Sequence, residues 1–224
     1  IKLVNNLADK FTNTTSISTL FAEHLLALAN TINPEKIENL WQDIANRYSE
    51  STRAYHTLMH LQQLFSQFRQ IKKKLQQPSI IALALFYHDV IYDPTRADNE
   101  LKSAEYASEV LKKYLKAEPL ERICKLIMMT ANHQLTDKTD NDAEYLLDMD
   151  LSILGASWPE YEQYAQSVRE EYAHVAEADY RLGRTKVLAG LLAHPKLYLT
   201  DFYYQHLEAQ ARANVQGEIT WLAV

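Results

Sequence analysis

The stretch Ser79–Tyr92, SIIALALFYHDVIY, decides the fold. Its eight residues from Ile80 to Tyr87 are all apolar, and they run straight into His88-Asp89 and then Val90, Ile91 and Tyr92. No polar stripe interrupts the run at the helical or the strand period, and a helix apolar all round is a buried one. Pro78 stands where a proline suits a first helical turn, and Pro94 closes the region. The spacing therefore predicts a buried helix over Ser79–Tyr92 that carries a titratable pair at its end. An unpaired buried carboxylate costs several kcal/mol or is forced neutral. Asp89 therefore needs a partner. A bound cation serves directly, and the negative end of the helix dipole favours it. A buried Lys or Arg is the plainer alternative.

Outward from this helix, composition narrows the class. The 224 residues include only four glycines and six prolines, too few for the many tight turns of an all-β fold. Hydrophobic residues make up 47% and charged residues 23%, ordinary for a globular protein. The net charge of −6 disfavours broad nucleic-acid binding. A lone cysteine, Cys124, excludes an internal disulfide and fits a reducing compartment. No apolar run reaches the ~18 residues that span a bilayer. The opening IKLVNNLADKF lacks a signal-peptide pattern, so a cytoplasmic protein is expected.

Helical patterns fill the rest. Ser16–Ile32 and Pro34–Tyr48 carry apolar stripes, the second behind a Pro-Glu first turn. In Ser49–Phe68 the spacing places His56 and His60 four apart, on one face if the segment is helical there. Lys72–Lys74 reads as a solvated helix end. Asp98 or Asn99 reads as the cap of a helix over 101–115, and Glu118–Met129 is another helix, ending near His133. The acidic loop Thr136–Glu144 lacks the central glycine and twelfth-position Glu of a calcium loop. In Tyr145–Gly155, Asp148 and Asp150 sit in an apolar frame. On a helix they point about 200° apart, so one of them faces any shared site. Three long helical patterns follow Trp158-Pro159. His24, His174, His194 and His206 read as structural. The expectation is one all-α domain over 1–224, with a core at 50–155 and the C-terminal helices of 158–216 packed on it.

The buried polar candidates, in chain order, are His56, His60, His88-Asp89, His133 and Asp148 or Asp150. Facing helices of a bundle can converge such groups on one centre. Imidazole and carboxylate suit a divalent ion, Mn, Ni, Fe, Zn or Mg, and an open set with water ligands is catalytic rather than structural.

The order His … His-Asp … Asp resembles the HD superfamily of metal-dependent phosphohydrolases, and His60, His88-Asp89 and Asp150 match it. The segments YHTLMHL, FYHDVIYDPTRADNELKSA and DMDLSILG resemble a bacterial branch of predicted HD phosphohydrolases, with REEY and Gly183-Arg184 also fitting. The likeness covers most of the chain. It implies an all-α bundle of the HD and phosphodiesterase type, with His60, His88, Asp89 and Asp150 as metal ligands, the second Asp of D-x-D-x-L being the ligand. YHTLMH also resembles the Y-H-N-x-x-H signature of cyclic-nucleotide phosphodiesterases, with Thr57 where that signature has Asn. By that match His56 is the proton donor, and Asp89 both binds metal and orients water. His133, Asp148, Asn99 and Glu100 remain for a second metal or the substrate, and Arg184 or Lys186 for phosphate. The implied function is hydrolysis of a small phosphorylated substrate, a nucleotide among the options. A non-catalytic metal or nucleotide binder and a di-iron HD-type oxygenase are the alternatives, and a homo-oligomer stays open.

Overall fold

The computed structural model describes residues 16–224, so the opening stretch IKLVNNLADKF lies outside the described residues. The helices are α1 Ile17–Leu28, α2 Pro34–Arg47, α3 Leu58–Ile71, α4 Pro78–Tyr87, α5 Asn99–Leu111, α6 Ala117–Thr130, α7 Asn141–Asp150, α8 Trp158–Glu171, α9 Glu177–Ala193 and α10 Asp201–Leu222. Short 3-10 turns, Lys72–Lys74 and Leu151–Gly155, follow α3 and α7, and no strand occurs among the described residues. The chain is thus all-α. No helix among the described residues is long and apolar enough to cross a membrane.

Side chains cap several starts: Ser16 accepts from the Thr19 amide, Asn33 from Lys36, Asp140 from Ala143 and Thr200 from Tyr203. Ser157 and Glu160 form a capping box at α8.

Every residue of α4 from Ile80 to Tyr87 is buried, as its apolar run predicts. It is the central helix, touching α1, α3, α5, α6 and α7. Phe86 meets Phe21 edge-on at 5.2 Å and Phe65 at 4.3 Å between ring centroids. One apolar core continues from these helices to Tyr161 and Ala165 of α8, Leu188 of α9 and Tyr203, Ala211 and Val215 of α10. The turn Leu151–Gly155 lies against α10 so closely that a Cβ on Gly155 would stand 2.6 Å from that of Leu207.

Three sequence expectations change. The buried helix stops at Tyr87 rather than Tyr92, with His88 as its C-cap. The Val90 amide turns back to the Tyr87 carbonyl at 3.2 Å, and Arg53 takes the carbonyls of Asp89 and Val90 at 2.7 and 3.0 Å. Satisfied in this way, those carbonyls have no need of another helical turn. Next, His56 does not share a helix face with His60. The helix begins at Leu58 behind a Thr57 cap whose hydroxyl accepts from the Met59 amide, and His56 lies in the preceding bend, outside the helix. Finally, Asp148 leaves the site altogether. It is buried at 1% exposure and accepts from the amides of Leu199 and Thr200, both at 2.8 Å, and from the Thr200 hydroxyl at 2.7 Å. It anchors the segment that enters α10, and burial pushes its carboxyl up to about 6 against those three donors.

Asp148→Ala strands two buried amides and a hydroxyl, and is expected to cost about 2–4 kcal/mol of stability. Urea denaturation reads the loss. Metal uptake by the variant that remains folded should equal that of the wild type.

Candidate metal centre

His60 is the third residue of α3, His88 caps α4, Asp89 follows it and Asp150 ends α7. The folded core brings their tips together. His60 Nε2 lies 3.4 Å from His88 Nε2, 3.8 Å from Asp89 Oδ2 and 3.8 Å from Asp150 Oδ1. His88 Nε2 lies 2.9 Å from Asp89 Oδ2 and 3.5 Å from Asp150 Oδ1. Ligands about 2.0–2.2 Å from one ion stand roughly 3.0–3.6 Å apart at octahedral or tetrahedral angles. His60, His88 and Asp150 each offer a ligand atom within 4.8 Å of the others and suit a divalent cation in chemistry, and Asp89 adds a second negative charge beside them. His88 Nδ1 donates to the Leu85 carbonyl at 2.8 Å, which leaves Nε2 as the free ligand atom of the neutral ring.

The electrostatics carry the same demand. Burial pushes His60 down to about 4, and the neighbouring His88 adds to this, so the ring stays in its neutral, ligating form. Burial also works against a charge on His88, yet Asp89, with Asp150 behind it, holds that ring well above the ordinary histidine value. Both carboxyls are held below the usual carboxylate range despite burial, Asp89 by His88 and His56, Asp150 by His133 and His88. The helix ends agree. Helices α4 and α7 both point their C-termini here, where the dipole favours a cation.

Beside this cluster stands His56. Its Nδ1 donates to Glu171 Oε2 at 2.8 Å, and its Nε2 is 3.9 Å from Asp89 Oδ2. Burial lowers its basicity, but Asp89 and Glu171 more than offset that and raise it above the ordinary value. The ring stacks on Tyr92 at 4.1 Å. Glu171, the last residue of α8, is buried at an end where the helix dipole disfavours it. Five donors compensate. Oε1 accepts the amides of Ala54, Tyr55 and His56 at 2.8–3.0 Å, and Oε2 accepts His56 and the Tyr92 hydroxyl. Against the cost of burial, they hold the carboxyl down to about 2. Arg53 adds a second tie, joining the His56 carbonyl to that of Asp89.

The other predicted residues separate. His133 Nε2 lies 2.9 Å from Asp150 Oδ2, the oxygen turned away from the cluster, so this histidine orients a ligand. It holds a left-handed backbone with φ 51°, uncommon outside glycine. Asn99 does not face a metal: its amide bonds both the N–H and the carbonyl of Asp93 and shapes the loop into α5. Glu100 lines the cavity described below. Arg184 is tied to Glu218 at 2.7 and 3.1 Å and to the Tyr164 hydroxyl. Lys186 is exposed and does not line the cavity, which removes it as a phosphate ligand there. Sequence reasoning missed Glu171, Arg53 and Tyr55. For Glu171 a signal existed, since it continues the buried stripe Tyr161, Ala165, Val168 of α8. A carboxylate on an apolar stripe marks a buried, partnered group.

A cavity of about 690 Å³ reaches the cluster at Asp150. His56, His133 and Asp150 make its polar end, and Tyr55, Tyr92, Tyr164, Tyr172 and Tyr180 supply its walls. That volume is in the range of small-molecule sites. No protein-family model, curated protein or solved structure matches the chain.

Glu171→Ala leaves three amides and two side-chain donors unpaired, and is expected to cost about 2–4 kcal/mol. Glu171→Gln keeps an acceptor oxygen and should lose less than half of that in the same denaturation series.

Proposed function

We propose that this protein is a metal-dependent phosphohydrolase of the HD type, acting on a phosphoester. The observation that carries the reading is the convergence of His60, His88 and Asp150, whose ligand atoms all lie within 4.8 Å of one another, with Asp89 2.9 Å from His88 Nε2, beside a cavity that Asp150 lines. The order of these residues along the chain, and the YHTLMH segment, resemble that superfamily.

A divalent ion, when bound, would be held by His60, His88, Asp89 and Asp150 and would supply Lewis acidity toward a phosphoryl oxygen and toward a water. The chain's own groups then have distinct tasks. Asp89 and Asp150 hold negative charge fixed at the site, and His133 keeps Asp150 turned toward it. His56 faces the cavity, and Asp89 and Glu171 raise its basicity above the ordinary histidine value, which favours the protonated form that an acid needs. Glu171 fixes Nδ1–H, which leaves Nε2–H as the transferable proton. As the oxygen of water forms its bond to phosphorus, the ester P–O bond breaks and that proton passes to the leaving oxygen. Arg53 and Glu171 hold the His56 segment against the Asp89 turn, so acid and ligands keep their spacing.

Elemental analysis of the purified protein, reloaded in turn with manganese, nickel, iron, zinc and magnesium, should find about one equivalent bound in the wild type. Asp89→Ala should lose both the metal and any phosphoester hydrolysis while circular dichroism stays helical. Turnover retained in Asp89→Ala overturns the reading. His56→Gln should keep the metal and lose kcat by about 10²–10⁴-fold.

A further inference from the structure

Outside the metal centre, each cationic feature of the cavity already has a carboxylate of the protein against it. Two arginines line it. Arg184 is held by both oxygens of Glu218, and Arg96 is held by both oxygens of Asp98 at 2.9 and 2.7 Å. No lysine lines it among the described residues. Two helix starts border it, and helix starts favour anions. Both carry their own: Glu100 in the first turn of α5 and Asp179 in that of α9. Among the described residues neither Glu100 nor Asp179 pairs with a lysine or arginine. The charges left uncompensated beyond the metal end are therefore negative. The rings of Tyr172 and Tyr180, 6.2 Å apart, and of Tyr164 line the same cavity.

From this we infer that the substrate is a phosphomonoester with a neutral or cationic leaving group of planar or apolar body, and that polyphosphates are selected against. The inference rests on the hydrolase reading above and adds the leaving-group class. The phosphoryl group has a place at the metal end beside His56. A leaving group that fills the cavity beyond His56 meets a lining of tyrosine rings together with Glu100 and Asp179. A nucleoside satisfies that surface. A nucleoside diphosphate, the leaving group of a triphosphate, brings two or three negative charges toward two unpaired carboxylates with no free cation to receive them.

The test compares adenosine 5′-mono-, di- and triphosphate and 4-nitrophenyl phosphate on the metal-loaded protein at fixed free metal. Hydrolysis and calorimetric binding are both measured. The monophosphate should exceed the triphosphate at least tenfold in kcat/KM and in affinity, and 4-nitrophenyl phosphate should be turned over. A Glu100→Gln, Asp179→Asn variant should narrow the mono-to-tri ratio at least fivefold. A triphosphate handled as well as the monophosphate, or a ratio the variant does not move, overturns the inference and leaves the hydrolase reading standing. Metal-loaded protein that hydrolyses none of the four overturns the hydrolase reading, and the order of affinities still decides the charge preference.

Discussion

Two partly buried carboxylates, Asp89 and Asp150, stand where helices α4 and α7 end, and the rest of the site follows from that placement. A negative group at the negative end of a helix, and largely removed from water, is doubly disfavoured. The chain answers with histidines rather than with a lysine or arginine. An arginine would close the centre as a permanent ion pair. Imidazoles leave it able to exchange a proton for a metal ion. The one buried arginine nearby, Arg53, is aimed at backbone carbonyls and not at either aspartate.

The same logic recurs at Glu171, a third carboxylate at a helix end. It is compensated from within, by three consecutive amides, His56 and Tyr92. Stability and geometry are joined here. The bonds that make Glu171 tolerable also curl the segment from Ala54 to His56 around its carboxylate and fix which nitrogen of His56 faces Asp89. The backbone of His133 at φ 51° is a further local cost sustained by the surrounding packing and by its bond to Asp150.

Much of the fold was legible in order along the chain. The apolar run of α4, the Pro-Glu start of α2 and the stripe of α3 are local patterns, and helices obey local patterns because their hydrogen bonds close within four residues. The spacing of Asp148 and Asp150 showed that only one of them could face a shared centre, since residues two apart on a helix point to opposite sides. The structure agrees, with Asp150 at the cluster and Asp148 under Leu199 and Thr200. Less legible was where helices stop. The end of α4 at Tyr87 depends on Arg53, 36 residues away from Asp89, taking carbonyls that would otherwise have continued the helix. The position of His56 depends on Glu171, 115 residues away.

The sequence by itself thus determined the helical class, the buried central helix and the residue types available for a metal, because periodicity and composition act locally. Tertiary structure alone decided which carboxylates meet the histidines, that Arg184 is matched by Glu218, that Lys186 stands outside, and that tyrosines from four separate segments wall one cavity. Those outcomes are distances between groups far apart in sequence. They are set by how helix faces pack around α4, and no local pattern encodes them.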